Sequence, residues 1–223
     1  MPGQPLRHFL LPLALAAAAG LATAQVAPAV SLAEQMRGML GKPAAATEGA
    51  SLGVFNAPIV VNGPVQVRQS AAELAQRFPA PHRAAMTKAY EEAFGFWQKL
   101  ETQLGLVPND VAAGVAAFIA GNYTAFMQQP VADEDFKSLV LQMQSLLARN
   151  PAFVQSPPAA KRAMFEQLAM VGTFMVVYRE HLNRQPSPGE EVNFRNAAKA
   201  NLEAGLGLAV ERLQIGPQGL VVR

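Results

Sequence analysis

The sequence contains no cysteine among its 223 residues. The absence excludes disulfide bonds, a thiolate nucleophile, cysteine metal ligands and covalent haem attachment through a C-x-x-C-H motif. The stability of the folded chain must therefore come from a hydrophobic core, and a chain of this length can bury one.

Charge of either sign is also scarce. Lys and Arg number 18 against 16 Asp and Glu, and charged residues make up 15% of the chain. The net charge of +2 falls to about +1 without residues 1–24, which hold one Arg and no acidic residue. A charge this small creates no field that would gather nucleic acid or anionic lipid, so we expect no nucleic-acid partner.

Histidine and the usual catalytic motifs are scarce or missing. Of the three His residues, only His82 and His181 follow residue 24, and neither has a Glu three residues before it. Di-metal carboxylate bundles use that Glu-x-x-His spacing, so we expect no metal site and no cofactor. The chain also lacks G-x-S-x-G, S-x-x-K and H-E-x-x-H motifs and glycine-rich phosphate loops. We therefore assign no catalytic residue and favour a protein that is not an enzyme.

Residues 1–24 have the three parts of a secretory signal peptide. A short basic region containing Arg7 precedes an apolar run over 9–19, and Ala22 to Ala24 form an A-x-A cleavage site. The alternative is a membrane anchor, but the apolar run is short for a span and contains a proline. We expect removal of this segment, an exported location in the periplasm or outside the cell, and no transmembrane segment in the mature chain.

Residues 25–69 are interpreted as an irregular arm or linker with one short helix. The helix is expected at 31–40, and an Ala/Gly/Pro-rich linker follows it over 42–51. Further on, Asn62-Gly63-Pro64 separates two short β-forming runs, which predicts either a short β-hairpin or an extended arm laid on the body. Because long periodic runs are missing here, we expect residues before about Ser70 to contribute little to the core.

Residues 70–223 are predicted to form one all-α domain, a bundle of about six helices. Apolar residues recur every three or four positions, and Pro, Asn and Ser stand between the periodic stretches. Ser70 and Glu73 fit a capping box for the first helix. The predicted helices cover about 70–78, 81–104, 109–129, 133–149, 157–184 and 188–213.

The stretch 109–129 is the one around which we expect the bundle to be organised. It carries no charge from Val111 to Ala132 and is small or apolar on nearly every side. A helix that is apolar all round is buried in a core or spans a membrane. Its many Ala and Gly residues and its polar Asn122 favour a buried helix. The apolar segment 168–178 predicts a second buried helix.

Short motifs are spread from residue 78 to the end of the chain: Phe78-Pro79, Arg83, Trp97, Asn109-Asp110, Gly121-Asn122-Tyr123, Phe165-Glu166 and Gly219-Leu220. With these residues the chain resembles an uncharacterised bacterial family of exported helical proteins, a domain of unknown function. The resemblance implies a helical fold and no assigned activity, so it assigns no catalytic role.

A candidate site consists of four polar residues on the helices that we expect to be buried: Asn122, Tyr123, Glu166 and Thr173. Either they hydrogen-bond one another inside the bundle, with Trp97 near them, or they line a ligand pocket. A buried carboxylate without a partner is costly. Glu166 is therefore expected to bond to Asn122, to Tyr123 or to an arginine such as Arg83.

Two functional hypotheses follow. The first is an exported, non-enzymatic protein that binds a partner or supports an envelope assembly. The second is a carrier of a small apolar ligand, held in a cavity between the two buried helices. A tightly packed core favours the first, whereas a closed apolar cavity with Glu166 or Tyr123 at its wall favours the second. The partner is an unidentified protein or small molecule in either case.

The A-x-A pattern predicts cleavage after Ala24. The intact mass of the protein exported by a bacterial host should therefore match a chain that begins at Gln25. An exported protein that still carries residues 1–24 would contradict the signal-peptide interpretation.

Overall fold

Helices form most of the structure, a computed structural model that describes residues 28–41 and 57–223. Helical residues make up 73% of it, and the strands form one two-stranded hairpin at the C-terminus. The all-α class is thereby confirmed. The predicted signal segment 1–24 and the predicted linker 42–51 lie outside the described residues.

Eight α-helices are present in the described part of the chain. Each of the six helices predicted after residue 70 has a counterpart, as does the predicted 31–40 helix, whereas the four-residue α6 is not predicted. The helices are α1 (Val30–Leu40), α2 (Val67–Ala75), α3 (Ala80–Leu104), α4 (Val111–Met127), α5 (Asp133–Arg149), α6 (Pro151–Val154), α7 (Pro158–Arg184) and α8 (Pro188–Leu206). A 3₁₀ turn (Val210–Arg212) and strands β1 (Leu213–Gly216) and β2 (Gly219–Val222) end the chain.

The central helix of the bundle is α4, as predicted. Asp110 begins it, because its carboxylate accepts the Ala112 N–H at 3.0 Å and satisfies a free donor of the first turn. Gln128 ends it in the left-handed conformation, with φ of 59°. Every residue from Val111 to Asn122 is buried, and α4 packs mainly on α7 while also contacting α5 and α8.

The two most buried helices, α4 and α7, meet through their backbones. A methyl group at Gly121 would overlap the carbonyl of Gly172, and one at Gly172 would overlap the carbonyl of Ala117. About two turns nearer the start of α4, a methyl group at Gly114 would lie 2.9 Å from the Phe165 ring. Glycine is needed at the first two positions because no side chain fits between the helices there.

Helix α1 belongs to the core, so the expectation that residues before Ser70 contribute little to it is wrong. Leu32, Ala33, Met36 and Leu40 are all buried, and α1 lies against α8. The Met36 side chain reaches α8 where Gly205 leaves room, since a methyl group there would lie 2.6 Å from Cε of Met36. The apolar face of α1 is short but is buried along the whole helix. Gly205 of α8, distant in sequence, leaves the space into which the Met36 side chain fits.

The segment 59–66, which we call the strap, is extended and lies on the bundle. Ile59 and Val61 pair with residues Asn109 and Val111 in an antiparallel bridge. The β-hairpin alternative is wrong, because Val67 begins α2 and does not belong to a second strand. Pro64 lacks an N–H for a ladder, and the residues after it have good helix propensity.

The last helix ends seven residues before the predicted end at about 213. Gly207 adopts φ of 67° and terminates α8, after which β1 and β2 pair antiparallel, with Leu213 opposite Val222. Gln142 of α5 holds the outer edge of β2: its amide donates to the Leu220 carbonyl at 2.9 Å and accepts the Leu220 N–H at 2.8 Å. Buried and half-buried residues alternate in β1. The sequence analysis missed this strand because the helical pattern of α8 was extended up to its first residue.

Within the described part of the chain, no helix combines the length and apolar character that a membrane crossing requires.

Replacing Gly121 by Ala places a methyl group against the Gly172 carbonyl, so α4 and α7 must separate. We expect Gly121→Ala to lower the free energy of unfolding by about 3 kcal/mol, the upper range for overpacking a core. Gly95→Ala is the matched control: a methyl group there meets no atom within 4 Å, so the change should stabilise α3 by up to about 1 kcal/mol. Urea unfolding measures both. Equal stability of Gly121→Ala and the wild type would contradict the backbone contact.

Candidate functional site

The four predicted site residues do not form one cluster. Asn122 and Glu166 are fully buried and Thr173 nearly so, whereas Tyr123 is half-buried. Asn122 and Glu166 each bond to a different part of the chain, and Tyr123 and Thr173 form no side-chain hydrogen bond with described residues. Trp97 is fully buried elsewhere, beside Phe136.

Glu166 holds the start of α2. Its carboxylate accepts the Gln66 N–H at 2.9 Å and the Ser70 hydroxyl at 2.7 Å. The expected partners Asn122, Tyr123 and Arg83 are therefore wrong. The proposed capping box is wrong as well, since Ser70 lies inside α2 and its hydroxyl points to another helix. A carboxylate from α7 thus caps α2 at its N-terminus, where a negative charge is stabilised.

Asn122 belongs to a second polar group that holds the start of α1. Its side chain donates to the Phe118 carbonyl at 2.8 Å and accepts the Asn201 amide at 2.8 Å. Asn201, in turn, accepts the buried N–H of Ala29 at 2.5 Å. Asn201 was missed by the sequence analysis, although a polar residue beside Leu202 on an apolar helix face could have indicated it.

A third polar group lies under the strap, and the sequence analysis missed it as a group. Asp110 is 1% exposed and accepts three hydrogen bonds. The donors are the Ile59 N–H at 3.0 Å, the Ala112 N–H at 3.0 Å and the Gln144 amide at 2.6 Å. One carboxylate therefore joins the strap, the start of α4 and the middle of α5.

Arg162 of α7 also holds the strap, further along its length. It is 4% exposed, and its guanidinium donates to the carbonyls of Val61 at 2.7 Å and Gly63 at 3.3 Å. It also donates to the Asn109 side chain at 2.7 Å. Asn109 sits in the left-handed conformation with φ of 64°, which an Asn tolerates better than most residues. No local pattern marks Arg162, because its main partners are carbonyls about 100 residues away in sequence.

Glu101 lies beside this group and has a perturbed pKa. Burial raises its pKa to about 7, whereas the Asn109 N–H, the Trp97 indole and Arg162 act to lower it and Asp110 acts to raise it. The Asn109 N–H lies 3.3 Å from the carboxylate. The Trp97 indole influences the carboxyl from nearby, but its N–H makes no hydrogen bond of normal geometry with any described residue. Glu101 therefore changes its charge near neutral pH.

The three polar groups share one task, which is to hold the N-terminal segments on the bundle. Asn201 anchors the start of α1, Asp110 and Arg162 anchor the strap, and Glu166 anchors α2. Among the described residues, no three His, Cys, Asp or Glu side chains are grouped as metal ligands. The arrangement suits the recognition of main-chain groups.

A shallow concavity lies between α3 and α7, away from these groups. Its volume is about 10 Å³, roughly the space of one water molecule. Its lining includes Phe96, Phe174 and Tyr178, but neither Glu166 nor Tyr123. The concavity therefore lacks the wall residues that the carrier hypothesis requires.

The fold and its polar groups define an all-helical protein whose N-terminal segments are fixed by buried side chains. A family model matches residues 16–223, and the chain belongs to that family, DUF6683, a family of unknown function. Membership of an uncharacterised family is thus confirmed, and the match extends well before Phe78. Comparison with curated proteins and with solved structures gives no match.

Glu101 predicts a pH dependence of stability. Its pKa of about 7 in the folded protein exceeds the ordinary value of 4.5. Between pH 4.5 and pH 7, the carboxyl group is therefore protonated in the folded state and ionised in the unfolded state. The free energy of unfolding should therefore fall as pH rises from about 4.5 to 7, by up to about 3 kcal/mol, and then level off.

Glu101→Gln removes this titration and should be more stable than the wild type at pH 8. Urea unfolding at several pH values measures the slope. The exposed Glu92→Gln change on the same helix is the control and should leave the slope as it is. Parallel pH profiles for Glu101→Gln and the wild type would contradict the raised pKa.

Proposed function

We propose that this protein is exported and acts by binding a polypeptide partner, not by catalysis. The signal-like start of the chain supports export, and the small net charge argues against a nucleic-acid partner. The buried polar side chains that could serve chemistry are engaged with the protein's own main chain. Glu166, Asp110 and Arg162 each bond to backbone groups of the N-terminal segments.

The observation that carries the proposal is a set of exposed apolar side chains around the strap. Val60 and Val65 of the strap are 41% and 68% exposed, and Val107 is 42% exposed. Val107 belongs to the connection that leads to Asn109, which pairs with Val61 of the strap. Two exposed valines on one short segment, with a third in the connection that this segment contacts, support a partner-binding surface there.

The carrier alternative has less support. It needs a cavity between α4 and α7, and the backbones of these helices are in contact at Gly121 and Gly172. A ligand there would have to force the helices apart, which is costly in a close-packed core.

The proposal predicts that a partner is reached from the strap face. A photo-crosslinking amino acid at Val65, introduced in cells that naturally make the protein, should give one discrete adduct in the exported fraction. Mass spectrometry should identify a second polypeptide in it. Val192 of α8 is 60% exposed and is the control position, from which we expect no such adduct. Equal labelling from both positions would contradict a binding surface at the strap.

A further inference from the structure

The bundle recognises the strap through its main chain. Asn109 and Val111 pair with it in a short β-ladder, with N···O distances of 3.1 Å to the Val61 N–H and 3.0 Å to the Ile59 carbonyl. Side chains supply the other bonds: Asp110 to the Ile59 N–H, Arg162 to two carbonyls and Glu166 to the Gln66 N–H. Among the described residues, every hydrogen bond between the strap and the bundle engages a backbone group of the strap.

The strap's own side chains take little part in this recognition. Val61 is the one strap side chain that is buried, at 5% exposure, while those of Asn62 to Val65 are exposed. The groove therefore selects an extended backbone with an apolar side chain buried at the Val61 position and a second, half-buried one at the Ile59 position. Proteins that bind an extended peptide as an added β-strand work in this way, because main-chain bonds give affinity and side-chain pockets give specificity.

The strap does not use all the hydrogen-bonding capacity beneath it. Arg162 Nε and Gln144 Oε1 are buried and have no hydrogen-bond partner among the described residues. Arg162 contacts the strap directly, and Gln144 orients Asp110, which also contacts it. Buried polar atoms of this kind are usually paired, so the polar groups that hold the strap are not fully satisfied while the strap is bound.

We propose that this groove, formed by Asn109 to Val111 and Arg162, is a receptor for an extended polypeptide segment, and that the strap is its exchangeable built-in occupant. The partner of the proposed function would then contribute a strand with an apolar anchor, which displaces the strap and takes over its main-chain bonds. The inference rests on the proposed function, since it names the class of partner and the site that receives it.

The strap competes with any external segment because it is tethered to the bundle. Only molecules with the strap released can bind, so the apparent affinity equals the intrinsic affinity multiplied by the fraction of molecules in which the strap is released. A change that weakens the strap but leaves the groove intact should therefore raise the affinity for a peptide. Ile59→Pro is such a change, because it removes the N–H that donates to Asp110 and alters no groove residue.

The test uses the full chain and a fluorescent peptide with the sequence of residues 57–66. Fluorescence anisotropy should show at least tenfold tighter binding to Ile59→Pro than to the wild type. Val60→Pro is the matched control, because the Val60 N–H makes no hydrogen bond in the described part of the chain. Its affinity for the peptide should stay close to that of the wild type.

A second peptide tests main-chain recognition without changing the protein. Methylation of the backbone nitrogens at the Ile59 and Val61 positions removes two donors and should abolish binding to Ile59→Pro. Replacing the exposed valine at the Val60 position by Thr should leave binding unchanged. Equal affinity of the methylated and unmodified peptides, or equal affinity of Ile59→Pro and Val60→Pro for the unmodified peptide, would overturn the proposal.

Hydrogen exchange of the wild type covers the case in which Ile59→Pro does not fold. The amides of Ile59, Val61 and Val111 should exchange together and much faster than those in the middle of α4, because release of the strap opens all three. Exchange as slow as that of α4 would overturn the exchangeable strap. The proposed function is tested separately, since a crosslinked partner at Val65 can exist even if no peptide enters the groove.

Discussion

The backbone contact between α4 and α7 is the constraint on which the rest of the structure depends. Gly121 and Gly172 fix the distance between these helices, because neither helix can move closer and a gap would remain unfilled. Asp110 at the start of α4 and Arg162 on α7 hold the same strap at different points along its length. The distance between Asp110 and Arg162 is set by the packing of α4 on α7. The position of the strap therefore depends on the backbone contact between Gly121 and Gly172.

The buried charges are arranged so that few remain uncompensated. Asp110 is satisfied by three donors, and Arg162 bonds to neutral oxygens, which spread its charge over the strap. Among the described residues Glu101 accepts one long hydrogen bond, from the Asn109 N–H at 3.3 Å, and burial raises its pKa to about 7. Burial is the main cause of the raised pKa of Glu101, and the charge of Asp110 adds to it while Arg162 opposes it.

Much of the fold could be predicted because its signals are local. The Pro108-Asn109-Asp110 start and the uncharged run after it identified α4, and prolines marked the beginnings of α7 and α8. The strap could be described only as extended or hairpin-forming, since Asn62-Gly63 favours a turn by itself. Its actual path depends on the carbonyl partners of Arg162, which sequence spacing does not reveal.

The candidate site was harder to predict for the same reason. Glu166 was correctly expected to be hydrogen-bonded, but Ser70 was read as a cap for its own helix when its hydroxyl serves a carboxylate 96 residues away. Ser70 and Glu73 satisfy a pattern that a helix can also contain in its interior. Asn201 was marked only by its position beside Leu202 on an apolar helix face, and Arg162 has no local pattern because its main partners are carbonyls distant in sequence.

The Gln142 amide has a consequence for the behaviour of the protein at high concentration. Strand edges with free N–H and C=O groups invite the strands of neighbouring molecules, which leads to aggregation. Gln142 occupies the two backbone groups of Leu220 that a third strand would need. A single side chain thus terminates the sheet on the β2 side and protects the chain's last strand from intermolecular pairing.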